Sequence, residues 1–388
     1  MYLSEVTTPA HIQRFHAVPK GIYANDPHWV PYLRQDIEKL FDKEKNKLFR
    51  EGAEAIRWIL YDAQDKPIGR IAAFINPKTL DTSNFRTGGI GFFECIDDQT
   101  AANFLFDAAK KWLEERKLEA MDGPINFGDR NQFWGCQVTN WDEPPIYPMN
   151  YNPPYYAALF EHYGFGIYFR QYMYWRSVEI PAQPIFHRKY NVLKDDPDFD
   201  LRNMRGMKLS EVAENFKEVY NAAWGGHSHF KDMSSSAAQK IFKAMKAAID
   251  PDLIIFAFYK GQPIGFYISL PELNQIFKHV NGNLNLIGKL KFLYHKLRKT
   301  PNRMTGIIFG VSRAWHGRGV EAAMIVFGEK TIIPKGIYKD TVITWVGDFN
   351  PKMMKVAQNL DTTEWRKLHT YRYQFDRSKP FERAPIVE

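Results

Sequence analysis

The sequence repeats a set of short patterns after a nearly constant interval. Each copy contains two predicted strands joined by a polar turn, and a Pro-Ile-Gly triplet opens the second strand, beginning at Pro67 and again at Pro263. Asn-Pro then opens a helical stretch at Asn152 and again at Asn350. The two offsets are 196 and 198 residues. So constant an offset over this length predicts two copies of one fold, each with its own core.

The repeat divides the chain into two predicted lobes. We assign residues 1–180 to the first lobe and residues 200–388 to the second, with a linker at 181–199 that is rich in proline and charge. The second lobe carries an insertion at 271–302, between its hairpin and its next predicted strand. With 388 residues, 45% of them hydrophobic, the chain is long and apolar enough for a core in each lobe.

Cysteine content and charge narrow the class of protein. Cys95 and Cys136 are the only cysteines, too few for a disulfide framework or a thiolate zinc site, which predicts a reducing, cytoplasmic location. The sequence begins with no basic segment followed by an apolar one and contains no run of 18 apolar residues, so neither a signal peptide nor a membrane span is predicted. The net charge of +8 suits an anionic ligand, an anionic membrane surface or nucleic acid.

A strand, a glycine turn and a helix follow one another in the second lobe. Residues 307–311 form a β-branched and aromatic run typical of a buried strand, Gly317 and Gly319 follow, and apolar residues recur at helical spacing from Val320. The first N–H groups of a helix have no partner within it, so with the helix dipole they can bind a phosphate beside the charge of Arg318. A turn that only lets the helix pack on a sheet has the same pattern, and these residues alone leave both interpretations open.

The segment His316 to Glu321, His-Gly-Arg-Gly-Val-Glu, resembles the acyl-coenzyme A loop of the GNAT (GCN5-related N-acetyltransferase) superfamily, whose pattern is Arg/Gln-x-x-Gly-x-Gly/Ala. The sequence departs from that pattern at its two ends, where His316 and Glu321 stand. The resemblance implies an α/β (mixed α+β) fold of two tandem GNAT-like lobes, each a mostly antiparallel twisted sheet flanked by helices. It also implies acetyl-CoA or a longer acyl-CoA as a substrate.

The resemblance further implies which residues would hold coenzyme A. The end of the strand would pair with the pantetheine arm, and the turn would hold the pyrophosphate. These residues are Gly310, Val311, His316, Gly317, Arg318, Gly319 and Val320, with Asn350 as a pantetheine or helix-opening contact. At the corresponding place the first lobe has Asp97 and Asp98, whose charge would repel a phosphate. We therefore expect a degenerate cofactor loop there, and a structural or acceptor-side role for the first lobe.

Few candidates for catalysis follow. Ala357 stands where many relatives carry a tyrosine that protonates the departing thiolate. Asp348 follows the predicted strand 341–346 and is a candidate base, or equally a cap for the helix after Asn350. Tyr371, on the last predicted strand, is a second candidate if it faces the cleft, with a core or surface position as the alternative.

A predicted loop of the second lobe contains Trp224, His227 and His229. In a GNAT lobe this loop borders the acceptor site, so the resemblance makes Trp224 and His227 candidate substrate contacts. Two histidines at i and i+2 with no third ligand nearby are more typical of a polar loop than of a metal site. We therefore predict no metal here.

The insertion at 271–302 contains an amphipathic basic helix. Leu286, Leu290, Leu293 and Leu297 recur every three or four residues. Positive charges lie beside them, at Lys289, Lys291, Lys296, Arg298 and Lys299. Either the leucines pack on the second lobe and the charged face is solvated, or the helix contacts an anionic membrane surface or covers a long acyl chain.

Together these features predict an acyl-CoA-dependent N-acyltransferase that acts on a small-molecule or lipid amine. It would be cytoplasmic, with peripheral contact to the inner membrane surface as one option. The altered loop ends and Ala357 favour an alternative, a non-catalytic acyl-CoA-binding protein. Positive charge and many aromatic residues leave an aminoacyl-tRNA or other nucleic-acid partner open, although no compact basic and aromatic motif supports it.

Overall fold

The strands and helices follow the order that the repeat predicts. A computed structural model describes residues 1–81, 84–128, 130–225 and 232–387. The strands are β1 (Tyr2–Glu5), β2 (Glu54–Tyr61), β3 (Pro67–Ile75), β4 (Thr87–Cys95), β5 (Ala120–Gly123), β6 (Cys136–Gln137), β7 (Gly166–Ser177), β8 (Phe199–Asn203), β9 (Ile254–Tyr259), β10 (Gln262–Pro271), β11 (Arg303–Val311), β12 (Asp340–Gly347) and β13 (Thr363–Gln374). The helices are α1 (Pro9–Ile22), α2 (Arg34–Phe41), α3 (Gln99–Glu114), α4 (Tyr156–Tyr163), α5 (Pro184–Lys194), α6 (Leu209–Trp224), α7 (Ser235–Met245), α8 (Asn274–Phe277), α9 (Leu286–Leu297), α10 (Val320–Ile332) and α11 (Pro351–Gln358).

These strands form one mixed sheet that continues through both lobes. Its order is β1-β2-β3-β4-β5-β13-β7-β12-β11-β10-β9-β8, with β6 paired to β13 off this path. The pairs β4–β5 and β11–β12 are parallel, and the other pairs are antiparallel. The predicted α/β fold of two tandem lobes, each a mostly antiparallel sheet flanked by helices, is confirmed.

The last strand of each lobe pairs with the other lobe. Strand β13 lies between β5 and β7, with Tyr371 opposite Gly123, while β7 pairs on its far side with β12. Arg372 of β13 is buried, and its guanidinium donates two hydrogen bonds of 2.7 and 2.8 Å to the Asp122 carboxylate of β5. Because the two terminal strands are exchanged, each lobe's sheet is completed by the other.

Helices cover the sheet in a similar way in each lobe. In the first lobe, α3 and α4 pack on a core rich in aromatic rings, in which Phe106 stacks on Phe93 at 4.8 Å. In the second lobe, α6 and α7 cover one face, and α10 covers the other together with α5. Helix α5 occupies 184–194, within the predicted linker at 181–199. The lobe boundaries themselves stay a prediction.

Among the described residues, no helix combines the length and the apolar character that crossing a bilayer requires. The described ranges contain no cluster of three or more His, Cys, Asp or Glu side chains placed to hold a metal ion.

The strand exchange predicts that β13 is required for the stability of the first lobe. A chain ending after Asp361 loses the strand between β5 and β7 and the buried side chains of Leu368 and Tyr371. Unpaired strand edges and lost apolar burial should abolish cooperative unfolding of the first lobe. Scanning calorimetry measures this, with a chain ending after Ser378 as the control that keeps β13. Equal melting of the two truncated chains would contradict the prediction.

Candidate functional site

Two neighbouring strands of the second lobe separate along their length. Strands β11 and β12 are paired in parallel from Arg303 opposite Asp340 to Gly306 opposite Ile343. Both strands continue, to Val311 and Gly347, with no further pairing between them among the described residues. We call the space between 307–311 and 344–347 the strand gap. It leaves one edge of β11 with backbone N–H and C=O groups that an extended ligand could pair with.

A glycine turn, residues 316–319, links the open end of β11 to α10. Gly317 and Gly319 have φ of +75° and +87°, a left-handed conformation that favours glycine. Gly319 is the N-cap of α10 and offers no side chain to cap it, so the first N–H groups of α10 are open to an anion. The His316 ring donates from Nε2 to the Val311 carbonyl at 2.9 Å, which ties the turn to the strand.

Two cationic side chains lie at the glycine turn. Arg318 is exposed, with its guanidinium 5.1 Å from the centre of the Trp315 ring. Lys189 of α5 is also exposed, and a Cβ atom placed on Gly319 would lie 3.0 to 3.2 Å from three carbons of the Lys189 side chain. The sequence does not predict Lys189 as part of this site, because its segment has the composition of a linker and no local pattern connects it with the turn.

Trp224 lies against the end of β11, and its role as a substrate contact stays a prediction. Its ring covers Gly310, since a Cβ atom on that glycine would lie 2.7 Å from the Trp224 ring. Tyr220, one turn earlier on α6, packs on the indole at 5.0 Å. Arg313 donates to the carbonyl of Ala223 at 3.3 Å and so holds the end of α6 against the turn region. His227 lies outside the described residues.

At the far end of β12, Asp348 and Asn350 have different roles. The Asp348 carboxylate accepts a hydrogen bond of 3.1 Å from the Arg170 N–H of β7 and pairs with the Arg383 guanidinium. Asn350, not Asp348, caps α11, accepting from the Met353 N–H at 3.1 Å. Asp348 is therefore not the helix cap, and its role as a base stays a prediction.

Tyr371 lies in the core of the first lobe. It is fully buried, its ring stacks on Phe160 at 5.3 Å, and its hydroxyl donates to Glu161 at 2.9 Å. Burial raises the pKa of the Tyr371 hydroxyl above its usual value. The strand exchange carries β13 two strands away from β12, so this position does not fit a residue that faces the gap of the second lobe.

In the first lobe the matching space is filled by the protein itself. Strands β4 and β5 also part, after Gly89 and Asp122, but Ile125 then donates its N–H to the Ile90 carbonyl at 2.8 Å. A Cβ atom on Gly91 would lie 1.7 Å from the Ile125 carbonyl oxygen, so the returning chain is in close contact with β4. No comparable segment covers the edge of β11 among the described residues.

The other binding groups of the first lobe are also occupied. The N–H of Cys95, at the end of β4, donates to the Tyr156 hydroxyl at 2.8 Å. The Asp98 carboxylate caps α3 and accepts from the N–H groups of Thr100 and Ala101 at 2.7 and 3.0 Å. The groups that would pair with a ligand in the second lobe thus have internal partners in the first.

The hydrogen bond from His316 predicts a modest effect on ligand affinity. His316→Ala removes the contact between the turn and Val311, and such a hydrogen bond contributes about 1 kcal/mol. Coenzyme A, the ligand that the resemblance implies, should then bind about fivefold more weakly in calorimetric titration, because 1.4 kcal/mol corresponds to about tenfold. His316→Gln retains a donor and is the matched control. Unchanged affinity of His316→Ala would contradict a role for this contact.

Comparison with known proteins gives relatives along the whole chain. No protein-family model matches the sequence. A protein of Caulobacter vibrioides named bacterial ceramide synthase is 26% identical over an aligned length of 384 residues, which covers 94% of this chain and 95% of that protein. Protein YghO of Escherichia coli is 25% identical over 286 residues, covering 73% of this chain and 71% of that one.

Solved structures support the same fold. A tandem GNAT protein from the clavulanic acid biosynthesis pathway superposes with a TM-score of 0.53 at 9% identity, covering 98% of this chain and all of that one. A fungal GH3 β-N-acetylglucosaminidase with a GCN5-related glucosamine N-acetyltransferase region gives 0.55 at 12% identity, covering 96% of this chain but 38% of that chain. The predicted resemblance is confirmed, and the chain has the fold of the tandem GNAT proteins.

Proposed function

We propose that the protein is an acyl-CoA-dependent N-acyltransferase whose second lobe binds the acyl-CoA. One observation carries this proposal: the strand gap and the uncapped glycine turn occur side by side in the second lobe, while the equivalent groups of the first lobe are occupied. An extended ligand with amides and a phosphate matches both features. The first lobe then has a structural role, since its strand β7 supports β12.

The chemistry follows from where such a ligand would lie. The pantetheine amides would pair with the edge of β11 at 307–311, and the pyrophosphate would accept from the N–H groups at the start of α10, near Arg318 and Lys189. The thioester would then lie in the strand gap. An amine attacks its carbonyl carbon, so that a C–N bond forms, the C–S bond breaks, and backbone N–H groups stabilise the oxyanion.

Proton transfer completes the reaction. The attacking ammonium group must first lose a proton, and after the C–N bond forms the nitrogen loses a second proton, which neutralises the departing thiolate. Asp348, at the end of β12, is the proposed acceptor of the first proton, and water would carry the second to the thiolate because Ala357 is a buried residue with no ionisable group. We expect Asp348→Asn to lower kcat while leaving the affinity for coenzyme A unchanged.

The acceptor we propose is a long-chain amine. A ceramide is the amide of a fatty acid with a long-chain amino alcohol, and the relative named bacterial ceramide synthase matches this chain over nearly its full length. The donor would correspondingly be a long-chain acyl-CoA. Ala357, in place of a thiolate-protonating tyrosine, favours a second candidate function, that of an acyl-CoA-binding protein without turnover.

Turnover separates the two candidate functions. The purified chain is incubated with acyl-CoAs of rising length and with either sphinganine or a short primary amine, and thiol release and amide mass are measured. We expect amide formation to be fastest with a long-chain acyl-CoA and sphinganine. Coenzyme A binding without any amide product would leave the binding function in its place.

Charge at the glycine turn provides a test of the ligand site. Gly319→Asp places a carboxylate where the pyrophosphate would bind, and we expect coenzyme A affinity to fall by at least about tenfold, or about 1.4 kcal/mol. Gly319→Ala introduces the same positive-φ strain without the charge, so it is the matched control and should bind more tightly than the aspartate variant.

The first lobe supplies a second control for the calorimetric titration with coenzyme A. Asp98→Gly removes the cap of α3, which costs a fraction of a kcal/mol of stability, and should leave coenzyme A affinity unaltered. Equal affinities of Gly319→Asp and Gly319→Ala would place the ligand elsewhere.

A further inference from the structure

The second lobe carries a segment with no counterpart in the first. Between β10 and β11 lie residues 272–302, whereas only residues 76–86 separate the equivalent strands β3 and β4. Helices α8 and α9 belong to this added segment. It joins β11 at Arg303, the end of that strand opposite to the glycine turn, so it is not placed to cover the strand gap.

One face of α9 is apolar and exposed. Its large apolar side chains are between 51% and 75% exposed, whereas a helix packed on its own lobe buries such residues. They are Leu286, Ile287, Leu290, Leu293, Tyr294 and Leu297. At about 100° per residue they fall within an arc of about 120°. The interpretation in which the leucines are buried against the second lobe is therefore wrong.

The opposite face fixes α9 to the protein. Phe292 stacks on Phe277 at 5.8 Å, and the rings of His295 and His279 stack at 4.0 Å. Gly288 is buried, and its N–H donates to the Asn285 side chain, which caps the helix. The apolar face is thus held outward by contacts on the other side of the helix.

Positive charges lie on both sides of the apolar face. By helical geometry Lys289 and Lys296 fall on one flank and Lys291 and Arg298 on the other, and Lys299 follows the helix. The Lys296 ammonium donates to the Ala247 carbonyl, and Arg298 donates to the Tyr294 hydroxyl at 2.8 Å. The sequence from 273 to 302 contains no Asp or Glu. Flanking cations without compensating acids match an anionic surface.

We propose that α9 docks the protein on an anionic lipid bilayer, with its axis in the plane of the interface. The leucines enter the boundary between headgroups and acyl chains, and the flanking lysines and arginine reach the lipid phosphates. A protein partner would fit less well, because lysine is depleted at protein interfaces. This inference goes beyond acyl transfer, since it concerns a surface at the opposite end of β11, and either proposal can fail alone.

Vesicle binding by the full chain tests the proposal. We expect sedimentation with vesicles of phosphatidylcholine and phosphatidylglycerol in equal parts, weaker sedimentation at high salt, and none with phosphatidylcholine alone. Changing Lys289, Lys291, Arg298 and Lys299 to glutamine should weaken binding about fivefold per cation removed. Changing Leu286, Leu290 and Leu293 to serine should weaken it by at least about tenfold. Neither set should alter the melting temperature, because these side chains are exposed.

Matched controls distinguish vesicle binding through the apolar face of α9 from other causes of vesicle binding. Val192→Ser removes an apolar side chain of α5 that is 75% exposed and should not change vesicle binding. Amide formation with a short soluble amine should be unchanged in both α9 variants. The proposal is overturned if the unmodified chain does not sediment with anionic vesicles, or if both variants sediment with them as well as the unmodified chain does. Self-association that the leucine changes abolish, without vesicle binding, would instead identify a second copy of this chain as the partner.

Discussion

Backbone pairing between β7 and β13 holds the two lobes in one sheet. The two strands run antiparallel from Thr363 opposite Trp175 to Arg372 opposite Gly166, and each also pairs with a strand of the other lobe. A largely buried ion pair between Arg372 and Asp122 also holds β13 against β5, and its two charges are mutually compensated inside the protein. The position of β12, and hence one wall of the strand gap, depends on this central pairing.

Small local differences distinguish the two lobes at the place where β11 and β4 meet the following helix. Both lobes have a parallel strand pair that parts and a helix that begins beside it. In the second lobe glycine precedes the helix, and the N–H groups of the first turn remain available. In the first lobe Asp98 occupies those N–H groups, and Ile125 and Tyr156 occupy the edge of β4. A carboxylate held at a helix N-terminus competes directly with any anion for the same donors.

The sequence predicted the features that depend on local patterns. The two copies and the strand–turn–helix unit at Gly319 follow from spacing and from the few residues that suit each backbone conformation. The strand exchange was not predictable, because the pattern of a strand shows which face is buried but not which neighbour pairs with it. The position of Tyr371 in the first core, and of Lys189 beside Gly319, follow from long-range packing. Helical periodicity likewise showed an apolar face on α9 without showing that it stays uncovered.

The hydrogen bond between the Arg170 N–H and the Asp348 carboxylate couples the geometry of the second lobe to that of the first. Arg170 belongs to β7, and its N–H holds the carboxylate at the end of β12, so a first-lobe strand sets the position of a second-lobe side chain. The second lobe therefore requires the first for its own geometry, because β7 supplies both the pairing partner of β12 and the N–H that the Asp348 carboxylate accepts from. A substitution that disturbs the core of the first lobe should therefore also shift β12 and the Asp348 carboxylate in the second lobe, although no ligand connects the two places.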